Sequence, residues 1–352
     1  MIDRGELLRK LALNMARYSG LGSIAARFTA GVGAILMLHR VTRDPALPSG
    51  VNRHLAITPE FLDAVLAEMR ALGFRFVPMD EVPELLSARA GSERFLAITA
   101  DDGYRDNLTC ALPILEKHGA PMTIYIAPAL IEGTVDLWWD VVEEIVCRSE
   151  RIYLDTAGGR LAIDATTAAE KLRANITIHN YLTNELPEEE QRWVIRALAA
   201  AAGVDHARPS RETLMNWDEI RLAAEHPLLT IGAHSLHHFN LKRLSDDRAR
   251  SEMRDGAKFL EIELGQAPRH LAYPYGYASA VGERETRIAA ELGFATAVTT
   301  RHGILYPGHA NHLLALPRIS VNGRYQQVSH IRTMVNGVTT PLANRGRAFV
   351  TV

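Results

Sequence analysis

A chain of 352 residues has room for one large α/β domain or two modest ones. Its 47% apolar and 23% charged residues describe an ordinary globular protein, and a formal net charge of −2 supplies no global field favouring nucleic acid or an anionic membrane. Two cysteines, Cys110 and Cys147, are too few for a disulfide framework or a cysteine-built zinc site, and each is expected to be a small buried hydrophobe.

Residues 3–18 interleave Arg4, Arg9, Lys10 and Arg17 with Leu8, Leu11, Met15 and Tyr18, which predicts an amphipathic helix with a basic face inside an N-terminal segment 1–30. It lacks the unbroken apolar stretch of a secretory signal, and no window has the ~18 consecutive apolar residues of a spanning helix. The expectation is a cytoplasmic chain whose first helix packs on its own domain, with weak membrane-surface association through residues 3–18 as the alternative.

From Gly33 to Val41 the run GAILMLHRV reads as a buried strand ending at His39, followed by a polar loop from Thr42 to Ile57. Thr58-Pro59 opens a helix, Thr58 as N-cap and Pro59 at the first helical position, and Gly73 ends it. Phe74–Pro78 is the next strand, Met79–Ala88 a helix, and Phe95–Ala100 a buried strand running into Asp101-Asp102-Gly103. A helix with Leu108, Ala111, Leu112 and Leu115 closes at Gly119, and Met122–Ala127 is another strand. Strand and helix alternating through short connections argue for parallel βαβ units.

Periodicity weakens across about 134–211, which reads as an insertion holding Trp138-Trp139-Asp140, a hairpin at Ala157-Gly158-Gly159 and helices at 168–182 and 187–202. The alternation resumes with a helix at Trp217–Ala224 and a strand at Leu228–Ala233 leading into His234-Ser-Leu-His-His238. Helices at Asp246–Glu263 and Glu283–Leu292 and strands at His270–Tyr273, Ala295–Thr299 and Arg318–Val321 complete a main domain of 31–336. A partly irregular tail, 337–352, follows.

Loops converge on a site at strand ends in a parallel α/β domain. Asp101 and Asp102 stand at such an end, where strand alternation points them apart; a helix N-cap followed by a first-turn charge is the plainer reading. His234 and His238 follow another apolar strand at i and i+4, which on a helical turn puts two imidazoles on one face. His237 could substitute at i+3. Two histidines and a carboxylate make an open catalytic zinc set with a position left for water.

Thr99-Ala-Asp-Asp-Gly103, His234-Ser-Leu-His-His238 and Tyr273-Pro-Tyr-Gly276 occur in the order and rough spacing of the polysaccharide deacetylase family, the NodB-homology group or carbohydrate esterase family four. The chain resembles that family over about residues 33–322, with 134–211 outside the resemblance. The resemblance implies an α/β fold, a distorted (β/α) barrel of about seven strands carrying the mostly helical insertion. It implies metal-assisted hydrolysis of N-acetyl groups on an amino-sugar polysaccharide, oligosaccharide or glycolipid, an O-acetyl ester being the lesser alternative.

Carried over residue by residue, the resemblance makes Asp101 the general base. Asp102, His234 and His238 become ligands of Zn2+ or another divalent transition metal, and the Tyr275 backbone N–H becomes an oxyanion donor. Ala100 stands in place of an aromatic, and Ala272 where an arginine often holds the base. Arg318 is the substitute considered for that arginine, with a plain surface arginine equally open. The family's late histidine motif is not evident, and His39 is the candidate general acid, a structural histidine being the alternative. Trp139 is read as anchoring the insertion more than lining a sugar subsite, and Asp140 as a helix cap. The rival functions are hydrolysis of another C–N amide bond on the same site and an inactive sugar-binding protein on this fold.

Overall fold

The computed structural model describes residues 29–43, 50–88 and 93–352. The expected amphipathic helix at residues 3–18 lies outside them. The first apolar run does not form one strand: β1 (Gly33–Leu38) stops before His39, and β2 (Arg40–Val41) pairs instead with β3 (Ala56–Ile57) in a small separate sheet. The chain is therefore bent at His39, which leaves the barrel wall there.

Next come β4 (Arg75–Val77), β5 (Phe95–Ala100) and β6 (Met122–Ile126), then an antiparallel hairpin of β7 (Arg151–Thr156) and β8 (Gly159–Asp164). The later strands are β9 (Leu229–Ala233), β10 (His270–Ala272), β11 (Thr296–His302) and β12 (Leu316–Ser320). The main sheet runs β1-β12-β11-β10-β9-β6-β5, and β1 also pairs with β5, so seven parallel strands close a barrel. β4 pairs with the first half of β5 and β6 with the second half.

Strand alternation divides the barrel's side chains into two sets. Ala34, Leu36, Leu38, Leu96, Ile98 and Ala100 pack in the large core shared with the surrounding helices, whereas Ile35, Phe95, Ala97, Val298 and Leu316 belong to a second cluster inside the barrel. Continuing the inner set by twos leads from Ala97 through Thr99 to Asp101 and from Leu316 to Arg318. The barrel closes tightly at Gly33, where a Cβ would lie 2.7 Å from the Phe95 carbonyl oxygen.

Two expected helices are interrupted. Met79–Glu81 is a 3-10 turn before the α-helix Val82–Ser87, and Asn107–Ala111 a wider π turn before Leu112–His118. Pro83 and Pro113 sit at those junctions and cannot donate the bond that would continue an α-helical ladder.

The insertion has its own core, in which Trp138, Val141, Val142, Ile145 and Val146 pack with Ile152, Leu154, Ile178, Ile195 and Leu198. Its first helix, Trp138–Arg148, is thus strongly patterned on the 3.6-residue period, contrary to the weak periodicity read across the segment. Glu188 docks it to the barrel, accepting from the Asn240 backbone N–H at 3.0 Å and from Arg243 at 2.9 Å. The chain re-enters the barrel beside the Asp-Asp-Gly turn, where Met215 N–H donates to the Gly103 carbonyl at 3.0 Å.

The tail, expected to be partly irregular, is so over much of its length. It forms a short helix, Thr339–Ala343, and its buried Val350 packs on Gly303. Cys110 and Cys147, expected to be buried, are both half-exposed. Among the described residues no helix is long and apolar enough to cross a membrane.

Candidate active site

Asp101 continues the inner face of β5, and Arg318 the inner face of β12; β1 lies between those two strands. The side chains meet as a two-pronged pair, Arg318 Nη1 to Asp101 Oδ1 and Nη2 to Oδ2, each at 2.7 Å. Arg318 is 1% exposed, so the surface alternative does not hold. Its remaining donors reach Thr99 Oγ1 at 3.1 Å and the Thr299 carbonyl at 2.9 Å. Burial alone would raise the Asp101 carboxyl, but the charge and hydrogen bonds of Arg318 outweigh it and hold the group at about 2.

Asp102 faces away from this pair for a different reason than the strand alternation expected. Its φ is +72°, a left-handed turn after the strand's end. Its Oδ1 lies 3.6 Å from His234 Nε2 and 3.4 Å from His238 Nε2. His234 donates from Nδ1 to the Ala272 carbonyl at 2.7 Å, which leaves Nε2 with a free lone pair.

The two histidines do not share a helical face. Residues 234–240 form an irregular loop with φ of +57° at both Ser235 and His238, and the turns bring the imidazoles together, ring centroids 4.9 Å apart. His237 is directed elsewhere, its Nδ1 lying 2.7 Å from Glu252 Oε1. This separates the i+4 histidine from its i+3 neighbour.

Three ligand atoms, from Asp102, His234 and His238, all lie within 4.8 Å of one another. Asp102 Oδ1 is buried without a hydrogen-bond partner. Burial, and then the charges of Asp101 and Asp140, push the Asp102 carboxyl well above the usual range, while burial lowers both imidazoles. A buried carboxylate oxygen without a hydrogen-bond partner, beside two imidazole nitrogens and with burial disfavouring its lone negative charge, fits a cation. Two ligands about 2.1 Å from a tetrahedral zinc stand about 3.4 Å apart, close to the 3.6 and 3.4 Å that separate Asp102 Oδ1 from the two imidazole nitrogens.

His39 sits where β1 ends, its carbonyl accepting from Asn107 Nδ2 at 3.0 Å. Burial lowers its pKa to about 4, opposed by the Asp101 charge and reinforced by Arg318 and His234. Tyr275 has φ +62° and its carbonyl accepts from Thr300 Oγ1 at 2.7 Å. At Gly276 beside it, φ is also +62° and a Cβ would lie 2.5 Å from the Thr300 nitrogen, so this turn requires glycine. The Tyr275 ring stands 5.2 Å from that of His238.

The insertion supplies a wall of the site. The Trp139 ring centroid is 5.3 Å from that of His238, and its Nε1–H donates to the Tyr104 hydroxyl at 2.9 Å. Asp140 is not the cap of its helix, which begins after Leu137; its Oδ1 meets Asn52 Nδ2 at 3.3 Å, and burial raises its pKa to about 7. Sequence reasoning missed Tyr104, Asn52 and Glu252. Tyr104 is one residue beyond the Asp-Asp-Gly motif, but nothing local marks Asn52 or Glu252, whose partners lie on other elements.

A family model described as polysaccharide deacetylase matches residues 88–297. The match runs through the insertion, begins after His39 and ends before Arg318. Among solved structures, the Streptococcus pyogenes deacetylase PplD in complex with acetate is 21% identical, with a TM-score of 0.56 over 87% of this chain and 99% of that one. IcaB from Ammonifex degensii is 18% identical, with a TM-score of 0.52 over 87% and 97%. A polysaccharide deacetylase from Bacillus cereus is 14% identical, with a TM-score of 0.53 over 86% and 68%. These likenesses show the fold. No curated protein matches the chain.

Proposed function

This chain belongs to the polysaccharide deacetylase family, hydrolases acting on amide bonds, and from that premise we propose that it removes N-acetyl groups from an amino-sugar-containing carbohydrate with a divalent transition metal, zinc first. The observation that carries the reading is two neighbouring carboxylates in different settings. Asp101 is held ionised by Arg318, and Asp102 turns an unpartnered oxygen toward two imidazole nitrogens.

Asp102, His234 and His238 would hold the metal, which when bound supplies a Lewis acid for the acetyl carbonyl and lowers the pKa of water. Arg318 occupies one lone pair on each Asp101 oxygen, so a second lone pair remains to accept the proton of an attacking water. A carboxylate near pKa 2 is a weak base, but it is ionised at every working pH and cannot rotate out of place. The Tyr275 backbone N–H, on a turn fixed by Thr300 and Gly276, is the oxyanion donor of the tetrahedral stage.

His39 is the general acid for the leaving amine. An imidazole held near 4 is neutral at pH 7, so it donates only after taking up the proton that Asp101 collects; on giving that proton up Asp101 is ionised again, and its charge stabilises the imidazolium. Acetate, which the similar Streptococcus pyogenes protein holds, is the expected product.

The test is metal content by elemental analysis alongside acetate release from an N-acetylglucosamine oligomer. About one equivalent of transition metal with acetate release supports the proposal. A protein that takes up no metal after loading overturns it and favours a sugar-binding role on the same fold.

A further inference from the structure

Glu252 has no exposed surface, and it lies within the helix Asp246–Leu264 that backs the loop between the two histidine ligands. Both of its oxygens are used on one residue of that loop. Oε2 accepts from the His237 backbone N–H at 2.8 Å, and Oε1 is 2.7 Å from His237 Nδ1. Arg248, one helical turn earlier, reaches the same Oε1 at 3.1 Å.

The helix comes this close because of Gly256. A Cβ there would stand 2.5 Å from the Ser235 carbonyl carbon and 2.8 Å from the Leu236 nitrogen. A carboxylate taken wholly out of water persists only where hydrogen bonds and an opposite charge replace the water, and an apolar side chain would fill the same space without that cost.

The loop needs such a hold. Ser235 and His238 both adopt φ +57°, a conformation that L residues with side chains occupy at a cost and keep only when the surroundings over-determine it. Leu236 is tied on the other side, its carbonyl accepting from Ala129 N–H at 3.0 Å, and His238 N–H bonds Ser235 Oγ at 3.1 Å. His237 is the remaining link, one residue before the ligand His238, and Glu252 fixes both its backbone and its ring.

We infer that Glu252 is a positioning residue for the metal centre: by clamping His237 it holds the strained loop that aims His238 Nε2 at Asp102 Oδ1, and so sets metal affinity and ligand geometry. This rests on the metal reading above. It also accounts for the third histidine of the motif, which serves the clamp and leaves the metal to its neighbours.

The experiment measures zinc affinity by chelator competition, and the cobalt absorption spectrum, on the full chain. Glu252→Gln is expected to weaken zinc binding roughly tenfold or more and to shift the cobalt bands. His237→Ala, which loses the ring contact and keeps the backbone one, should act in the same direction, and the double variant should be no worse than the weaker-binding single variant, since the ring contact is lost in both. If Glu252→Gln fails to fold, His237→Ala alone decides, because its ring is partly exposed. Wild-type zinc affinity and an unchanged cobalt spectrum in the folded variants overturn the inference while leaving the metal site standing, as do losses that simply add. A wild-type chain that binds neither zinc nor cobalt overturns the metal reading and this inference with it.

Discussion

Arg318 and Asp101 are 217 positions apart in the chain, yet the guanidinium grips both carboxylate oxygens at 2.7 Å inside the barrel. Arg318→Lys keeps a positive charge but loses the planar fork, so Asp101 gains a rotational freedom it now lacks. Acetate release by Arg318→Lys should fall by about one to two orders of magnitude, with zinc affinity close to wild type. Arg318→Met leaves a buried charge alone and should also lower unfolding free energy by about 3–5 kcal/mol. Steady-state kinetics and denaturant unfolding on the two variants separate the orienting role from the structural one.

Asp101 and Asp102 are neighbours with different tasks, and their conservative variants should differ in kind. Asp101→Asn should retain zinc while losing on the order of 10²–10⁴ in turnover. Asp102→Asn, His234→Ala and His238→Ala should lose zinc and activity together. Stripping the wild type with a chelator should abolish acetate release, and adding zinc back should restore it. Elemental analysis of each variant beside its activity shows whether the two losses part company at Asp101.

His39 projects from the end of β1 and is neutral near pH 7 by virtue of its burial. As proton donor to the leaving amine, it should matter most for amides, whose nitrogen is a poor leaving group until protonated. His39→Gln should therefore cut hydrolysis of an N-acetyl sugar by roughly 10²-fold or more and an activated aryl acetate much less. Equal losses on both substrates would mark His39 as structural.

How much of this was legible in the sequence follows from what each residue depends on. The inner-face rhythm of β5 leads to Asp101, because alternation is a local property of strands, and the three motifs lie at strand ends where a barrel gathers its site. Arg318 is expected at the start of a strand that in fact begins at Leu316, so its inward face was not legible. The direction of Asp102 was not legible, because it follows from a left-handed turn that a non-glycine residue adopts only under tertiary constraint. The choice between His237 and His238 needed Glu252, on another element, to claim one of them. The break at His39 needed β3, whose two residues draw Arg40–Val41 away from the barrel. The insertion's first helix was obscured because its apolar stripe answers to its own core and not to the barrel.

A last prediction concerns stability and lies away from the active site. His302, at the end of β11, faces Thr339 of the C-terminal helix with Nε2 2.7 Å from Oγ1, and burial lowers its pKa to about 4. In the unfolded chain the same group titrates near 6.5. Between those values the unfolded state binds the proton and the folded state does not, so acidification favours unfolding. The contribution is complete above about pH 6.5 and is lost progressively as pH falls toward 4, to a total of at most about 3 kcal/mol. His302→Gln, which keeps a hydrogen-bonding end for Thr339 and has no proton to gain, should flatten the fall in unfolding free energy across that window. Denaturant unfolding of both proteins at pH 7.0, 5.5 and 4.5 provides the comparison, and parallel curves would mean that His302 takes up its proton over the same pH range folded as unfolded.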